Sequence, residues 1–159
     1  FGGINNSAQH ELAEIVLACI WRKIRLTGAK EKICIVIDEF QNFVRSKRSA
    51  LLEMLREARK YNVNIILATQ TPGSIPKDVM SSISQTAVQL YFRPSICDRR
   101  AMASLISESR VSYWSGKLDD LHIGESIAVG NLAVNGRDIN GPLIVRTRKN
   151  KEKSFMLSV

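Results

Sequence analysis

The sequence predicts an α/β protein with a parallel sheet core flanked by helices and an antiparallel strand extension near the C-terminus. Two apolar runs predict the core, Ile33-Cys34-Ile35-Val36-Ile37 and residues 63–68, with one amphipathic helical pattern between them. An apolar run without alternation is typical of a strand that a parallel sheet buries on both faces. Asn135-Gly136 predicts the extension, because these two residues lie between short apolar runs as in a hairpin turn.

Helices are predicted where apolar residues recur at helical spacing. The first begins at Asn6 or Ser7, which are good N-cap residues, and stops at Gly28. The second runs from Ser49 to Asn62. The pattern then predicts a short helix over 78–83 and a third strand over 87–92 that continues the parallel sheet. After these come a helix capped by Asp98, turns around Ser115-Gly116 and Asp119-Asp120, and short strands over 126–134, 142–147 and 155–159.

Length and composition indicate one globular domain over residues 1–159. The hydrophobic fraction is 45% and the charged fraction 24%, which excludes a disordered tail or a collagen-like repeat. No apolar run approaches the ~20 residues that span a bilayer, so no membrane segment is expected. Three cysteines without metal-ligand spacing indicate a reduced, cytoplasmic compartment, with Cys19 and Cys34 expected in the core. The tryptophans are expected to serve packing, and the two histidines to lie on the surface.

Two adjacent acids, Asp38 and Glu39, directly follow the first predicted strand. In P-loop nucleotide hydrolases this is the Walker B arrangement. The strand would fix Asp38 at the carboxyl edge of the sheet, where its carboxylate can hold Mg²⁺ against nucleotide phosphates, usually through water. Glu39 could then orient or deprotonate the attacking water. The alternative is that both acids merely cap a turn.

Polar residues also follow the second predicted strand, in the order Ala68-Thr69-Gln70. Consecutive parallel strands end at the same edge of a sheet, so Gln70 is expected near the acid pair. There it could sense the γ-phosphate of a nucleotide. The alternative is that Thr69 and Gln70 are turn residues before Pro72.

Three segments carry a family resemblance: ICIVIDEFQNF (33–43), LREARKYNVNIILATQTP (55–72) and LHIGESI (121–127). They resemble the HerA/FtsK group of hexameric motor ATPases, which includes the ATPases of conjugation and type IV secretion. The resemblance implies a RecA-like fold, ATP and Mg²⁺ as cofactors, DNA as partner and a homo-hexamer. It also implies that Asp38 is the magnesium-associated acid, Glu39 the catalytic glutamate and Gln70 the sensor. Arg59 matches an arginine presented to the neighbouring subunit's nucleotide, although a solvated helix face is the alternative for Arg59.

The sequence departs from this family in one respect. A P-loop requires Gly-x-x-x-x-Gly-Lys followed by Ser or Thr. Gly116-Lys117 is followed by Leu118, and no other segment fits. We therefore expect that the chain is the C-terminal part of a larger ATPase, with Walker A upstream, and that the isolated chain shows little ATP turnover.

Two other functions remain open from the sequence. One is a basic module that binds DNA or partner subunits without hydrolysis. The other is a superfamily 1 helicase fragment, because Asp38-Glu39-Phe40-Gln41 matches the DEFQ motif of those helicases, although the residues that follow do not.

Charge predicts a polyanionic partner. Lys and Arg number 23 against 15 acids, which gives a net charge of +8. The candidate DNA contacts are Arg45, Lys47, Arg48, Lys77, Arg148 and Lys149. The first four are implied by the resemblance, since DNA in such motors is often touched by loops between the core strands. For the C-terminal basic cluster, the alternative is that lysines blunt a sheet edge. Chromosome processing with a nuclease or other accessory subunit, DNA transfer and antiphage defence are all open as pathways.

Overall fold

A computed structural model describes residues 6–28, 31–44, 49–84 and 86–147. The helices are α1 (Asn6–Thr27), α2 (Ala50–Glu57), α3 (Lys77–Ile83), α4 (Arg99–Ile106) and α5 (Val111–Asp119). The strands are β1 (Ile33–Ile37), β2 (Val63–Leu67), β3 (Val88–Tyr91), β4 (Glu125–Gly130), β5 (Leu132–Val134), β6 (Arg137–Ile139) and β7 (Leu143–Arg146). The chain divides into two compact units, of which the first ends at Thr86 and the second begins at Ala87. The single domain over residues 1–159 therefore stays a prediction.

The first unit is built on β1 and β2, which pair in parallel from Ile33 opposite Val63 to Ile37 opposite Leu67. One face of this pair packs in a core with α1, α2 and α3. Trp21 of α1 is 1% exposed and meets Tyr61 edge to face, at 5.1 Å between ring centroids. The predicted parallel α/β core is confirmed in this unit, and Trp21 serves packing as expected.

The ends of the first two helices follow from the residues that the sequence singled out. Gly28 has φ of 65° and donates its N–H to the Ile24 carbonyl, which is a left-handed C-terminal stop. The Ser49 hydroxyl accepts from the Leu52 N–H at 3.3 Å and caps α2. A 3-10 turn follows α2 and ends at Asn62, which is also left-handed.

The expectation that β1 is buried on both faces is wrong for the described residues. Burial alternates along β1, so that Val36 is 65% exposed, and Ile66 of β2 is 53% exposed on the same face. Side chains alternate across a strand, and the helices pack on one face only. Cys19 and Cys34 are likewise exposed rather than in the core.

The second unit is antiparallel. β4 lies between β3 and β7, and β3 pairs with β4 from Val88 opposite Gly130 to Tyr91 opposite Ile127. The third strand was expected to continue the parallel sheet, and this pairing corrects that expectation. A short apolar run has no intrinsic direction, so its partner is set by long-range pairing that the local sequence does not encode.

Two further predictions concern turns in the second unit. Asn135 and Gly136 have φ of 51° and 75° and join β5 to β6, which confirms the hairpin. The turn expected at Ser115-Gly116 is wrong, because both residues lie inside α5. Trp114 and Leu118 are spaced by four residues and both buried, and this packing stabilises the helix across the glycine.

Within the described part of the chain, no helix is long and apolar enough to cross a membrane.

Candidate active site

The backbone ladder between β1 and β2 continues past the ends of both strands. The Ala68 N–H donates to the Ile37 carbonyl at 3.0 Å, and the Phe40 N–H donates to the Ala68 carbonyl at 3.1 Å. These two bonds place the residues after β1 beside those after β2. The sequence prediction that both polar strand ends meet at one edge of the sheet is thereby confirmed for the backbone.

Glu39 turns the chain sharply at this edge. Its backbone lies in the left-handed region, with φ of 49° and ψ of 46°, and its carbonyl accepts from the Asn42 N–H at 2.9 Å. A non-glycine residue other than Asn or Asp is uncommon there, and backbone strain of this kind concentrates at functional sites. The bend ends β1 at the acid pair and begins the 3-10 turn Phe40–Phe43.

The carboxylate of Glu39 has two donors. Its Oε2 accepts from the Gln41 side-chain amide at 2.7 Å and from the Gln70 backbone N–H at 3.3 Å. Glu39 is half-buried, so these bonds are partly shielded from water. The structure thus brings Glu39 and the Gln70 segment together, through the backbone of Gln70 rather than its side chain.

Asp38 is exposed, and its Oδ1 accepts from the Glu39 N–H at 3.0 Å. Among the described residues no group of three or more His, Cys, Asp or Glu could hold a metal ion. Magnesium in nucleotide hydrolases needs fewer protein ligands, since one or two carboxylates act together with water and phosphates. An exposed carboxylate at the carboxyl end of a strand, next to a second one, fits that donor set.

Gln70 leads into a short hydrogen-bonded segment. The Thr71 N–H donates to the Thr69 hydroxyl at 3.1 Å, and the Ser74 hydroxyl donates to the Thr71 carbonyl at 2.7 Å. A 3-10 turn, Pro72–Ser74, follows. The Gln70 side chain is exposed.

Arg59 lies at the other end of the sheet. It belongs to the 3-10 turn Ala58–Tyr61, which precedes β2, and its side chain is exposed. The five residues of β2, at about 3.3 Å each, place roughly 16 Å of strand between that end and the edge at which Gln70 lies. The structure does not bring Arg59 to the acid pair of its own chain.

Of the candidate DNA contacts, Lys77 is exposed at the first residue of α3. Arg45, Lys47, Arg48, Arg148 and Lys149 lie outside the described residues.

Sequence reasoning missed three contacts around this site. The Gln41 side chain reaches Glu39, the His10 Nδ1 contacts the Asn42 carbonyl, and the Glu14 carboxylate accepts from the Ala50 N–H at 3.0 Å. The last two contacts attach α1 to the segment between the acid pair and α2. The DEFQ match drew attention to Gln41, but only as part of a helicase motif.

The parallel strands, the acid pair and the polar end of β2 carry a resemblance to the HerA/FtsK-type ATPases, and the comparisons with known proteins support it. The sequence profile of "Zonular occludens toxin (Zot)" matches residues 4–96, which is more than half of the chain. The chain therefore belongs to the Zot family.

A solved structure supports the fold. VirB4 of Thermoanaerobacter pseudethanolicus is 18% identical and superposes with a TM-score of 0.61 over 87% of this chain. The chain spans 37% of that VirB4 chain. No curated protein sequence is significantly similar to this one. The structural likeness confirms the predicted fold class.

Proposed function

We propose that this chain belongs to a DNA-translocating motor and supplies the carboxylates for ATP hydrolysis. One observation carries the proposal: the Glu39 carboxylate, held at a strained strand end, accepts from the Gln70 backbone amide at 3.3 Å. This contact joins the proposed catalytic group directly to the segment after β2. A motor requires such a connection, because loss of the γ-phosphate has to move part of the protein.

The acid pair divides the hydrolytic work. Asp38, the more exposed of the two, would hold Mg²⁺ through water, where the ion would supply positive charge for the nucleotide phosphates. Glu39 orients the attacking water and accepts its proton. The two carboxylates also have different donors in the structure, since Asp38 accepts from the Glu39 N–H and Glu39 accepts from the Gln41 side chain and the Gln70 N–H.

Gln70 acts as the sensor. Its exposed side chain is free to contact a phosphate, while its backbone amide contacts Glu39. Movement of Gln70 would shift the hydrogen-bonded turn that follows, and the exposed Lys77 lies three residues after that turn. We place Lys77 among the residues that track the DNA backbone.

Arg59 acts in trans. Its position at the opposite end of the sheet excludes a contact with the acid pair of its own chain but leaves it available to a neighbour. A planar guanidinium can stabilise charge on the transferring phosphoryl group. This role requires an oligomer, and we propose a homo-hexamer.

The phosphate cradle is proposed to come from outside the 159 residues, since none of them forms a Gly-x-x-x-x-Gly-Lys-Ser/Thr motif. We further propose that the protein works in the cytoplasm with DNA, and with a nuclease or another accessory subunit. DNA transfer, chromosome processing and antiphage defence remain the candidate pathways.

The test uses the protein as it is encoded, with any residues that precede or follow these 159. ATP turnover is measured with and without double-stranded DNA, and movement is measured by displacement of a triplex-forming strand. We expect Mg²⁺-dependent turnover that DNA stimulates, and strand displacement that requires ATP. The variant Asp38→Asn should lose the turnover, whereas Asp98→Asn, in which the altered carboxylate contacts the Ser95 hydroxyl beside α4, should keep it.

Binding of DNA without any ATP turnover would contradict the proposal and favour the basic, non-hydrolysing module. Separation of duplex strands without movement along intact duplex would favour a helicase instead.

A further inference from the structure

We propose that Gln41 is a positioning residue for Glu39: together with the Gln70 backbone amide it clamps the glutamate carboxylate before nucleotide binds. The inference rests on the proposed function for its kinetic consequence only. The clamp itself is a property of the nucleotide-free protein.

The two donors approach the same oxygen from different elements. The Gln41 amide lies in the 3-10 turn after β1, 2.7 Å from Glu39 Oε2, and the Gln70 N–H lies after β2, 3.3 Å from that oxygen. A glutamate side chain has several rotatable bonds, and one donor alone would leave it free to swing. Two donors from separate strand ends fix the position of the carboxylate.

The orientation of the Gln41 amide supports this assignment. Its Oε1 is buried and has no hydrogen-bond partner. Rotating the amide by half a turn would place that oxygen, rather than the nitrogen, against the Glu39 carboxylate, where two acceptors would repel each other. The amide is thus held by its bond to Glu39, although its own oxygen goes unsatisfied.

The two donors of the clamp belong to different segments of the chain. Gln41 lies two residues after Glu39, in the 3-10 turn that the bend begins, whereas Gln70 lies between Thr69 and Thr71, which are joined by the bond from the Thr71 N–H to the Thr69 hydroxyl. A movement of the segment after β2 would therefore act on the Gln70 bond and not directly on the Gln41 bond.

The first experiment follows amide hydrogen exchange at Gln70 in the nucleotide-free protein. Gln41→Leu keeps the approximate size of the side chain but removes the donor, so the carboxylate swings and the Gln70 N–H loses its acceptor more often. We expect exchange at Gln70 to rise by roughly five- to tenfold, the loss expected for one hydrogen bond. The control is Asn42→Ala, because the recorded contacts of Asn42 use its backbone. Unchanged exchange at Gln70 in Gln41→Leu would overturn the clamp.

The second experiment measures steady-state ATP turnover. A misplaced catalytic group costs up to about a hundredfold in rate. We expect Gln41→Leu to lower kcat by about 10- to 100-fold with the KM for ATP within about twofold, and Asn42→Ala to change neither. A parallel loss of kcat, ATP affinity and melting temperature would show a merely structural role and overturn the inference.

The two proposals fail separately. If the wild-type protein hydrolyses no ATP but Gln70 exchange responds to Gln41→Leu, the clamp stands and the motor function does not. If Glu39→Gln ends turnover but Gln41→Leu turns over like the wild type, the motor function stands and the positioning role is overturned.

Discussion

The acid pair after β1 in the first compact unit and two acids of the second unit have different partners. In the first unit, Asp38 and Glu39 follow a parallel strand, and the described contacts of their carboxylates are to amide N–H donors. In the second, Asp119 lies 2.6 Å from Arg99, and Glu125 lies 3.5 Å from Arg146. Parallel strands gather their carboxyl ends at one edge, where acids remain available to a ligand. The two acids of the second unit instead form ion pairs within the protein, as Glu53 of the first unit does with Arg25 at 2.6 Å.

The backbone conformation of Glu39 also sets it apart from the other residues with positive φ. Positive φ outside glycine occurs in the described residues at Glu39, Asn62 and Asn135. Asparagine tolerates the left-handed region, because its short polar side chain can hydrogen-bond locally. Glutamate has no such advantage, and backbone strain of this kind concentrates at functional sites.

The largest effect on stability is expected at Gly130, which lets two strands of the second unit approach closely. Its φ is 121°, and an added Cβ would lie 2.2 Å from the Ala87 carbonyl oxygen. We expect Gly130→Ala to lower the free energy of unfolding by more than about 3 kcal/mol, measured by chemical denaturation. Gly116→Ala is the control, because α5 offers open space there, and it should stabilise by about 0.5–1 kcal/mol. Equal effects of the two variants would contradict the β3–β4 pairing.

A smaller effect is expected at Ser49, which caps the helix behind the candidate site. Loss of its hydroxyl leaves the Leu52 N–H without its partner. We expect Ser49→Ala to cost about 1 kcal/mol in denaturant unfolding. Ser112→Ala, at an exposed position of α5, should cause no loss. An unchanged free energy of unfolding in Ser49→Ala would contradict the role of Ser49 as the cap of α2.

The smallest effect is a pH dependence in the second unit. The backbone N–H of His122 donates to Glu125 and, with the His122 side chain and the positive charge of Arg146, holds the pKa of Glu125 below its ordinary 4.5. Because the folded pKa is lower than the unfolded one, the stabilisation is present above pH 4.5 and is lost as pH falls through the folded value. Glu125→Gln should therefore be less stable than the wild type at pH 7, and the difference should shrink below pH 4.5. A difference that grows in acid would contradict the sign of this shift.

Much of the fold could be predicted from the sequence because the signals are local. Ser49, Gly28 and Asn135-Gly136 act through their own backbone, and the structure places them as expected. The direction of β3 could not be predicted, because it depends on pairing with β4 more than 30 residues later in the chain. The exposure of Val36 could not be predicted either, since an apolar residue does not specify what covers it.

The candidate site, like the fold, has features that could be predicted from the sequence and one that could not. Asp38, Glu39 and Gln70 were found because parallel strands impose a common edge, and the structure brings their backbones together. The contact from Gln41 was missed, because it depends on the left-handed bend at Glu39, which no local pattern signals. The catalytic roles of Asp38, Glu39 and Gln70 remain predictions.

One measurement tests the central claim most directly: ATP turnover and ATP binding by Glu39→Gln in the protein as it is encoded, beside Glu125→Gln as the matched control from the second unit. Removing a general base typically costs 10²–10⁴-fold in rate. We predict a loss of that size for Glu39→Gln with ATP binding retained, and turnover close to wild type for Glu125→Gln. Unchanged hydrolysis by Glu39→Gln would contradict the account.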